Sequence, residues 1–188
     1  MYFTDTRIAG AWIIDPSPHY DERGRFMRTW CVNEFEQRRI HFMPVQANMQ
    51  FSSRKGTVRG LHLQVAPAPE AKLVRCTRGA IFDVVVDLRP VSPTFGKWLG
   101  LELRADGGRA VYVPTGCAHG FLVLEDDTEV EYLISAVYAP DHARGIRWDD
   151  PAIAIEWPFV PTIVSERDRS FENIDLDALR ASGLEALR

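Results

Sequence analysis

The chain has 188 residues, the usual size of one domain, and its 46% hydrophobic and 26% charged residues are ordinary for a globular protein. Its formal net charge of -4 argues against a groove for nucleic acid. No run of about eighteen apolar residues occurs, so no membrane-spanning helix is expected. The first residues lack the basic-then-apolar order of a signal peptide, and a cytoplasmic location is therefore expected.

The cysteines Cys31, Cys76 and Cys117 are odd in number and show no C-x-x-C spacing. This pattern favours neither a disulfide framework nor a thiolate zinc site, and it predicts three buried thiols. Arginine greatly outnumbers lysine among the 22 basic residues. Arginine is therefore the expected partner for anionic groups.

Short apolar or alternating runs dominate the chain and predict β-strands. In chain order they cover residues 45–51, 58–62, 73–76, 80–87, 98–103, 110–113, 120–124 and 128–138. The connections, such as 89–94 and 125–127, are short and rich in turn formers, and none is long enough to separate two domains. The sequence therefore predicts one all-β domain over residues 1–188, with two packed sheets forming a jelly-roll barrel whose mouth accepts a ligand.

Helical periodicity is limited to residues 32–39 and to the C-terminal tail, about residues 170–188. The tail carries leucines at helical spacing, at Leu176, Leu179, Leu184 and Leu187. Asp175 or Asp177 would cap this helix, and Gly183 would weaken it. Both helices are expected at the periphery of the barrel.

The second sequence motif of cupins is present as Gly108 followed, after five residues, by Pro114-x-Gly116-x-x-His119. The first motif is only partly present. Gln64 stands where metal-binding cupins repeat a histidine after His62, and Glu70 comes late. Two histidines and a displaced carboxylate make a poor ligand set for a divalent transition metal. A cupin barrel without metal or other cofactor is therefore expected.

A longer set of residues, in order along almost the whole chain, resembles the dTDP-4-dehydrorhamnose 3,5-epimerase family, a metal-free branch of the cupins. The matching segments are 21–24 with Phe26, 46–48, 59–64, 72–76, 82–89, 92–96, 114–121, Tyr132, Tyr138, 148–151, 155–158 and 165–168. So long an ordered set is not expected by chance.

The resemblance implies a substrate that is a nucleoside-diphosphate 4-keto-6-deoxyhexose, with dTDP as the expected nucleotide. Hydrogens on C3 and C5 of such a sugar lie alpha to the C4 ketone and are acidic enough to remove. Epimerisation needs a base on one face of the sugar, an acid on the other, and a positive or hydrogen-bonding group beside the enolate oxygen.

The family's catalytic roles fall on five residues of this chain. His62 matches the general base, and Asp168 would orient its ring and stabilise the imidazolium. Tyr132 matches the proton donor on the opposite face of the sugar. Lys72, with His119, would stabilise the enolate oxygen.

Substrate binding is implied for a wider set: Arg23, Phe26, Arg28, Gln46, Asn48, Arg59, Lys72, His119, Tyr138 and Arg167. The guanidinium groups of Arg23, Arg59 and Arg167 would bind the diphosphate, because their paired donors match phosphate oxygens. Gln46 and Asn48, two residues apart on a strand, would face the nucleotide together. Tyr138 would stack on the base. Asp83 also matches the family and is a candidate partner for His119.

Three positions depart from the family. Arg28 stands where a glutamate usually helps to hold the nucleotide, so the charge is reversed. Ala143 replaces a glutamate that many members carry at the binding site, and Met27 interrupts a usually aromatic run. The catalytic set is intact, so these departures bear on the identity of the base and sugar.

Three functions therefore remain open. The first is 3,5-epimerisation of dTDP-4-dehydro-6-deoxy-D-glucose to dTDP-4-dehydro-L-rhamnose. The second is epimerisation at C3 only, or use of another nucleoside-diphosphate keto sugar, which Arg28 and Ala143 favour. The third, from another class, is a non-catalytic sugar-nucleotide binding module or a metal cupin.

The resemblance also implies a homodimer that exchanges strands across an extended sheet. The apolar segment at residues 8–14 is the candidate for this exchange, because an uncovered strand of that composition would be prone to aggregation.

Overall fold

A computed structural model describes residues 1–187. The predicted all-β jelly roll is confirmed, because two mainly antiparallel sheets account for most of the regular structure and the helices are few and short. Each of the predicted strand runs lies largely within a strand. The run predicted at 128–138 ends as a strand at Ile134, and Tyr138 lies in the following loop, where its backbone N–H donates to the Gln46 side chain.

The first sheet contains strands from the N-terminus and from the middle of the chain. Its strands are β1 (Tyr2–Asp5), β2 (Trp12–Asp15), β5 (Gln46–Ser52), β7 (Lys72–Arg78), β10 (Ala110–Val113) and β12 (Thr128–Ile134). They are ordered β1-β2-β10-β7-β12-β5. The two edges of this sheet are therefore β1 and β5.

The second sheet packs against the first. Its strands are β6 (Thr57–Gln64), β8 (Ala80–Asp87), β9 (Trp98–Arg104), β11 (Cys117–Val123) and β13 (Ala143–Gly145), ordered β13-β6-β11-β8-β9. A short strand, β14 (Ile163–Val164), pairs in parallel with β6. A separate hairpin joins β3 (His19–Asp21) to β4 (Gly24–Phe26).

The two helices predicted from periodicity are present, and a third was missed. They are α1 (Val32–Glu36), α2 (Glu166–Ser170) and α3 (Leu176–Ser182). The Asp175 carboxylate accepts hydrogen bonds from the first turn of α3, so Asp175 and not Asp177 is the cap. Within residues 1–187 no helix is long and apolar enough to span a membrane.

Alternation along the strands divides the sheets into an inner and an outer face. Between the sheets, Val74 and Val130 pack with Val85 and Phe121 in one buried cluster. Successive strand residues point to opposite faces, so His62 and His119 lie on the inner face while their neighbours Leu61 and Ala118 pack outward. The inner face therefore carries both the core and the conspicuous polar residues.

Each outer face is covered by a different part of the chain. The C-terminal segment packs Ile146, Ile153 and Leu179 against the second sheet. Phe35 of α1 and Phe42 cover the first sheet. These layers hold the two sheets from outside and leave the space between them for the inner-face residues.

Two expectations about the N-terminal half need separate answers. Strand β2, which begins in the apolar segment 8–14, is paired on both sides in its own chain, with β1 and β10, and Ile8 and Ala11 are fully buried. This segment is therefore not an uncovered strand, and its exchange between two copies stays a prediction. The prediction of three buried thiols is wrong for one of them. Cys31 is only half-buried, because it precedes α1 in a loop, whereas Cys76 and Cys117 are buried as expected.

Gly60 allows β6 and β11 to approach closely beside the inner-face histidines. Its φ of +133° lies where only glycine is at ease, and a Cβ built there would lie 2.5 Å from Cα of Gly120. The positive φ and the contact with Gly120 both belong to the backbone, so turning a side chain relieves neither. The close approach therefore requires glycine at position 60.

Replacing Gly60 with alanine should lower the free energy of unfolding by about 2–5 kcal/mol, because backbone strain and overpacking add. Gly24→Ala is the matched control, since Gly24 has a similar φ of +127° but nothing within 4 Å of the added Cβ. It should cost only about 1–2 kcal/mol, the strain alone. Urea denaturation measures both values, and equal losses would contradict the steric argument.

Candidate active site

A cavity of about 230 Å³ opens between the two sheets. Its lining residues are Asn48, Gln50, Arg59, His62, Leu63, Gln64, Glu70, Lys72, His119, Phe121, Tyr132, Ile134, Tyr138, Ala143 and Arg167. Both sheets contribute polar residues, which follow from the alternation of the strands. The sequence-predicted catalytic residues therefore meet in one place.

His62 and Asp168 form a hydrogen-bonded pair at one wall. Nε2 of His62 lies 2.7 Å from Oδ1 of Asp168, and the backbone N–H of Gly60 donates to Oδ2 at 3.2 Å. The backbone N–H of Asp168 donates to the Ser165 hydroxyl, which caps α2 and fixes the carboxylate's position. A carboxylate on Nε2 keeps the proton there, so the lone pair of Nδ1 is free to accept another.

Asp168 stays ionised at neutral pH. Burial by itself would raise the pKa of its carboxyl group, but the hydrogen bond from His62, the charge of His62 and the Gly60 N–H outweigh burial and lower the pKa below its usual value. An ionised partner stabilises the imidazolium that forms when His62 takes a proton.

A second histidine–carboxylate pair lies directly across the strand boundary. His119 is the cross-strand partner of His62, and its Nε2 lies 2.8 Å from Oδ2 of Asp83. Both members are buried, and Oδ1 of Asp83 has no hydrogen-bond partner within residues 1–187. Asp83 is thus where the sequence placed it, beside His119.

Lys72 reaches the same wall from the first sheet. Its Nζ lies 2.9 Å from Oε1 of Glu70 and 3.2 Å from the backbone oxygen of His62. An ammonium has three N–H donors, so one remains for a ligand. Glu70, noted in the sequence only as an ill-placed metal ligand, holds this cation in place.

Tyr132 faces His62 from the opposite sheet. Its hydroxyl donates to Oε1 of Gln50. Burial raises the pKa of Tyr132 to about 12, which keeps the phenol protonated at neutral pH. A base on one wall and an acid on the other can act on opposite faces of a bound molecule.

The cavity is suited to an anion. Among the lining residues that the structure describes, Arg59, Lys72 and Arg167 are cations and Glu70 is the only carboxylate. Arg59 is held by the Ser52 hydroxyl and the Phe51 carbonyl oxygen, both at 3.0 Å. Guanidinium groups fixed in this way are suited to phosphate oxygens.

The residues predicted to contact the nucleotide are only partly brought together. Asn48 and Tyr138 line the cavity, while Gln46 lies beside them and binds the Asn48 side chain and the backbone of Tyr138.

Arg23, Phe26 and Arg28 lie away from the cavity in this chain. Arg23 pairs with Asp21 on the β3–β4 hairpin, and Phe26 is 75% exposed. Arg28 pairs with Glu34 at 2.8 Å.

Sequence reasoning missed Gln50 altogether. Strand alternation was the available signal, because Gln50 continues the inner-face series that Gln46 and Asn48 begin. Ala143, which stands where the family resemblance implies a glutamate, also lines the cavity.

No group of three or more His, Cys, Asp or Glu side chains within residues 1–187 is arranged to hold a metal ion. Nε2 of His62 and Nε2 of His119 each lie at hydrogen-bond distance from a carboxylate, and the two nitrogens are not directed together at one metal position.

Residues 5–175 match the family model described as dTDP-4-dehydrorhamnose 3,5-epimerase. The curated dTDP-4-dehydrorhamnose 3,5-epimerase of Sinorhizobium fredii is 46% identical over 171 residues, which is 90% of this chain and 88% of that protein.

Solved structures agree in fold. The dTDP-4-dehydrorhamnose 3,5-epimerase of Bacillus anthracis, with TDP and pyrophosphate bound, has a TM-score of 0.89 and 38% identity, covering 92% of this chain and 99% of its own. A 3'-monoepimerase of Streptomyces bikiniensis, in complex with dTDP-quinovose, has a TM-score of 0.85 and 37% identity, covering 95% and 90%.

Asp168→Asn should lower the free energy of unfolding by about 2 kcal/mol at pH 7, because it removes an ionised acceptor from buried hydrogen bonds. The lowered pKa of Asp168 means that its contribution is present above the carboxyl's unfolded value and is lost as pH falls through the folded value. The difference between wild type and variant should therefore shrink below about pH 4.

Urea denaturation across this pH range measures the effect. Glu166→Gln, an exposed carboxylate on the same helix, is the control and should differ little from wild type at any pH. A difference for Asp168→Asn that stays constant down to pH 3 would contradict the ionised pair.

Proposed function

Because this chain belongs to the dTDP-4-dehydrorhamnose 3,5-epimerase family, we propose that it inverts C3 and C5 of dTDP-4-dehydro-6-deoxy-D-glucose to give dTDP-4-dehydro-L-rhamnose. It is thus an isomerase that acts on a nucleotide sugar. The observation that carries the proposal is the placement of the His62–Asp168 pair and Tyr132 on opposing walls of one cavity.

Removal of the proton is the first step. Nδ1 of His62 accepts the proton from C3 or C5, and the electrons of the C–H bond move into the enolate of the C4 ketone. Asp168 stabilises the imidazolium that results. The free N–H of Lys72 donates to the developing enolate oxygen, with His119 beside it.

Return of the proton completes the inversion. Tyr132 delivers its hydroxyl proton to the carbon from the face opposite His62, which reverses the configuration. The bond to the carbon forms as the O–H bond of the phenol breaks. Exchange with water then restores the phenol and removes the proton from His62.

The cationic residues at the cavity favour binding of a diphosphate. Arg59 and Arg167 would bind its oxygens, Asn48 and Gln46 would contact the nucleoside, and Tyr138 would stack on the base. The Bacillus anthracis relative holds TDP and the Streptomyces bikiniensis relative holds a dTDP-sugar.

A second candidate, epimerisation at C3 only, is favoured by the residue at position 143 and by one relative. Ala143 leaves the cavity without the carboxylate that the family resemblance implies at that point, and a relative at 37% identity is a 3'-monoepimerase. Loss of a contact that positions the sugar would affect the second proton transfer, which needs the ring to shift.

Proton NMR in deuterium oxide with dTDP-4-dehydro-6-deoxy-D-glucose tests both candidates. We expect the C3 and C5 proton signals to disappear with wild type, because each carbon exchanges its proton through His62. His62→Ala should slow both losses by at least about 100-fold. His41→Ala, at an exposed histidine that does not line the cavity, is the control and should match wild type.

Loss of the C3 signal alone, with a product inverted at C3, would establish the 3-epimerase in place of the 3,5-epimerase. Absence of any exchange with wild type would overturn both. Exchange that persists at the wild-type rate in His62→Ala would show that His62 is not the base.

The chain is also proposed to act as a homodimer in the cytoplasm. Strand β5 is an open edge of the first sheet, and its outward side chains Met49 and Phe51 are 63% and 49% exposed, next to the exposed Val45. The outer face beneath the rest of that sheet is covered by apolar residues of the same chain. A second copy over β5 would bury what is left exposed. Arg23, Phe26 and Arg28 remain proposed substrate-binding residues. They lie away from the cavity of their own chain, so we propose that in the homodimer they reach the cavity of the second copy.

Phe51→Glu should shift the protein from dimer to monomer, because it places a charge in the proposed apolar contact. Light scattering coupled to size exclusion measures the mass. Val91→Glu, at a loop residue that is 97% exposed, is the control and should leave the dimer intact. A wild-type mass of about one chain would contradict the proposal.

A further inference from the structure

Gln50 and Tyr132 are neighbours because of strand register. Strand β12 pairs with β5 so that Tyr132 lies opposite Asn48, and Gln50 is two residues further along on the same inner face. Diagonal neighbours of this kind are within reach of long side chains. Gln50 is half-buried and lines the cavity.

The hydroxyl proton of Tyr132 is held by Gln50 in this structure. A phenol has one proton, and here it is donated to Oε1 of Gln50. No other residue within 1–187 forms a hydrogen bond with this hydroxyl. The proton that Tyr132 is proposed to deliver to the sugar is therefore donated to the Gln50 amide oxygen in this structure.

The amide can serve both protonation states of the tyrosine. A carboxamide carries an acceptor oxygen and two N–H donors, and rotation about its last torsion exchanges them. After the proton has left, the phenolate needs a donor, because a buried charge without one is costly. Burial already raises the pKa of Tyr132 to about 12, so the phenolate is the state that needs support.

We propose that Gln50 is a positioning residue for the proton of Tyr132: its oxygen holds the phenol before transfer, and its N–H donates to the phenolate afterwards. This inference rests on the proposed function of Tyr132. It predicts that Gln50 affects inversion more than it affects proton removal, because proton removal belongs to His62 on the opposite wall.

The distinction can be measured in one reaction. When His62 removes a proton and returns a deuteron to the same face, the substrate is labelled but not inverted. When Tyr132 delivers the deuteron, the product is inverted. The ratio of inverted product to labelled substrate, at C3 and at C5, therefore reports how the enolate divides between Tyr132 and His62, and it falls when donation by Tyr132 is impaired.

Gln50→Leu removes both the acceptor and the donor at similar size. We expect the ratio of inversion to exchange to fall about 10- to 100-fold, the worth of one hydrogen bond to a charged group, while the affinity for dTDP stays within about twofold of wild type. Gln50→Glu keeps the acceptor but has no donor for the phenolate, so it should not restore the ratio. Gln50→Asn, with an amide too short to reach, replaces Gln50→Leu if the latter does not fold. Gln37→Leu, an exposed glutamine on the outer surface, is the control.

The outcomes test two claims separately: that Tyr132 is the proton donor, and that Gln50 positions its proton. A normal ratio in Gln50→Leu, or its recovery in Gln50→Glu, would overturn the role of Gln50. Tyr132→Phe is run in parallel: a normal ratio in that variant would overturn Tyr132 as the donor, and loss in Tyr132→Phe with a normal ratio in Gln50→Leu would overturn only the present inference.

Discussion

The buried carboxylate of Asp168 joins two parts of the chain that are far apart in sequence. It accepts hydrogen bonds from the His62 ring and from the backbone of Gly60, and Ser165 holds the turn that carries it. These contacts attach the C-terminal segment to β6. They also fix the tautomer and orientation of the His62 ring, so the attachment of the C-terminal segment and the geometry of the cavity wall depend on the same carboxylate.

The close approach of β6 and β11 serves that arrangement. Gly60 has no Cβ to separate the two backbones, so His62 and His119 can lie opposite each other across the strand boundary. Each ring is then held by its own carboxylate, Asp168 or Asp83. Two imidazoles on neighbouring strands thus differ in the carboxylate that each contacts, and the different roles proposed for them depend on these partners, because the rings themselves are chemically the same.

The opposite wall has a different character. Tyr132 and Gln50 come from the first sheet, with neutral groups that can give and hold a proton, while Lys72 extends from that sheet toward the backbone of His62. A jelly roll places its two sheets on either side of a bound ligand. With that geometry, the proposed base and the proposed acid lie on opposite faces of a ligand without any special arrangement of loops, and the cations at the cavity favour an anionic ligand.

Alternation and turn residues in the sequence were sufficient for the all-β class and for most of β5 to β12, because strands buried on one or both faces carry a strong pattern of apolar residues. The short strands β1 to β4, β13 and β14 were not predicted, since they have only two to four residues and, unlike the uniformly buried β10, are mostly half-buried or exposed, so no clear strand-like pattern marks them. Helix α2 was missed for the same reason, although its capping serine and Asp168 lay within a matched segment.

The sequence by itself determined the family and supplied the candidates for the proposed proton transfer, because ordered motifs contain His62, Lys72, His119, Tyr132 and Asp168. Only the tertiary structure decided how they meet. Strand register brings Gln50 to Tyr132, the β6–β11 approach sets His62 beside His119, and folding of the C-terminal segment over the second sheet carries Asp168 to His62. These are contacts between residues distant in sequence, and no local pattern encodes them, because they depend on which strands become neighbours and on the space left between the sheets.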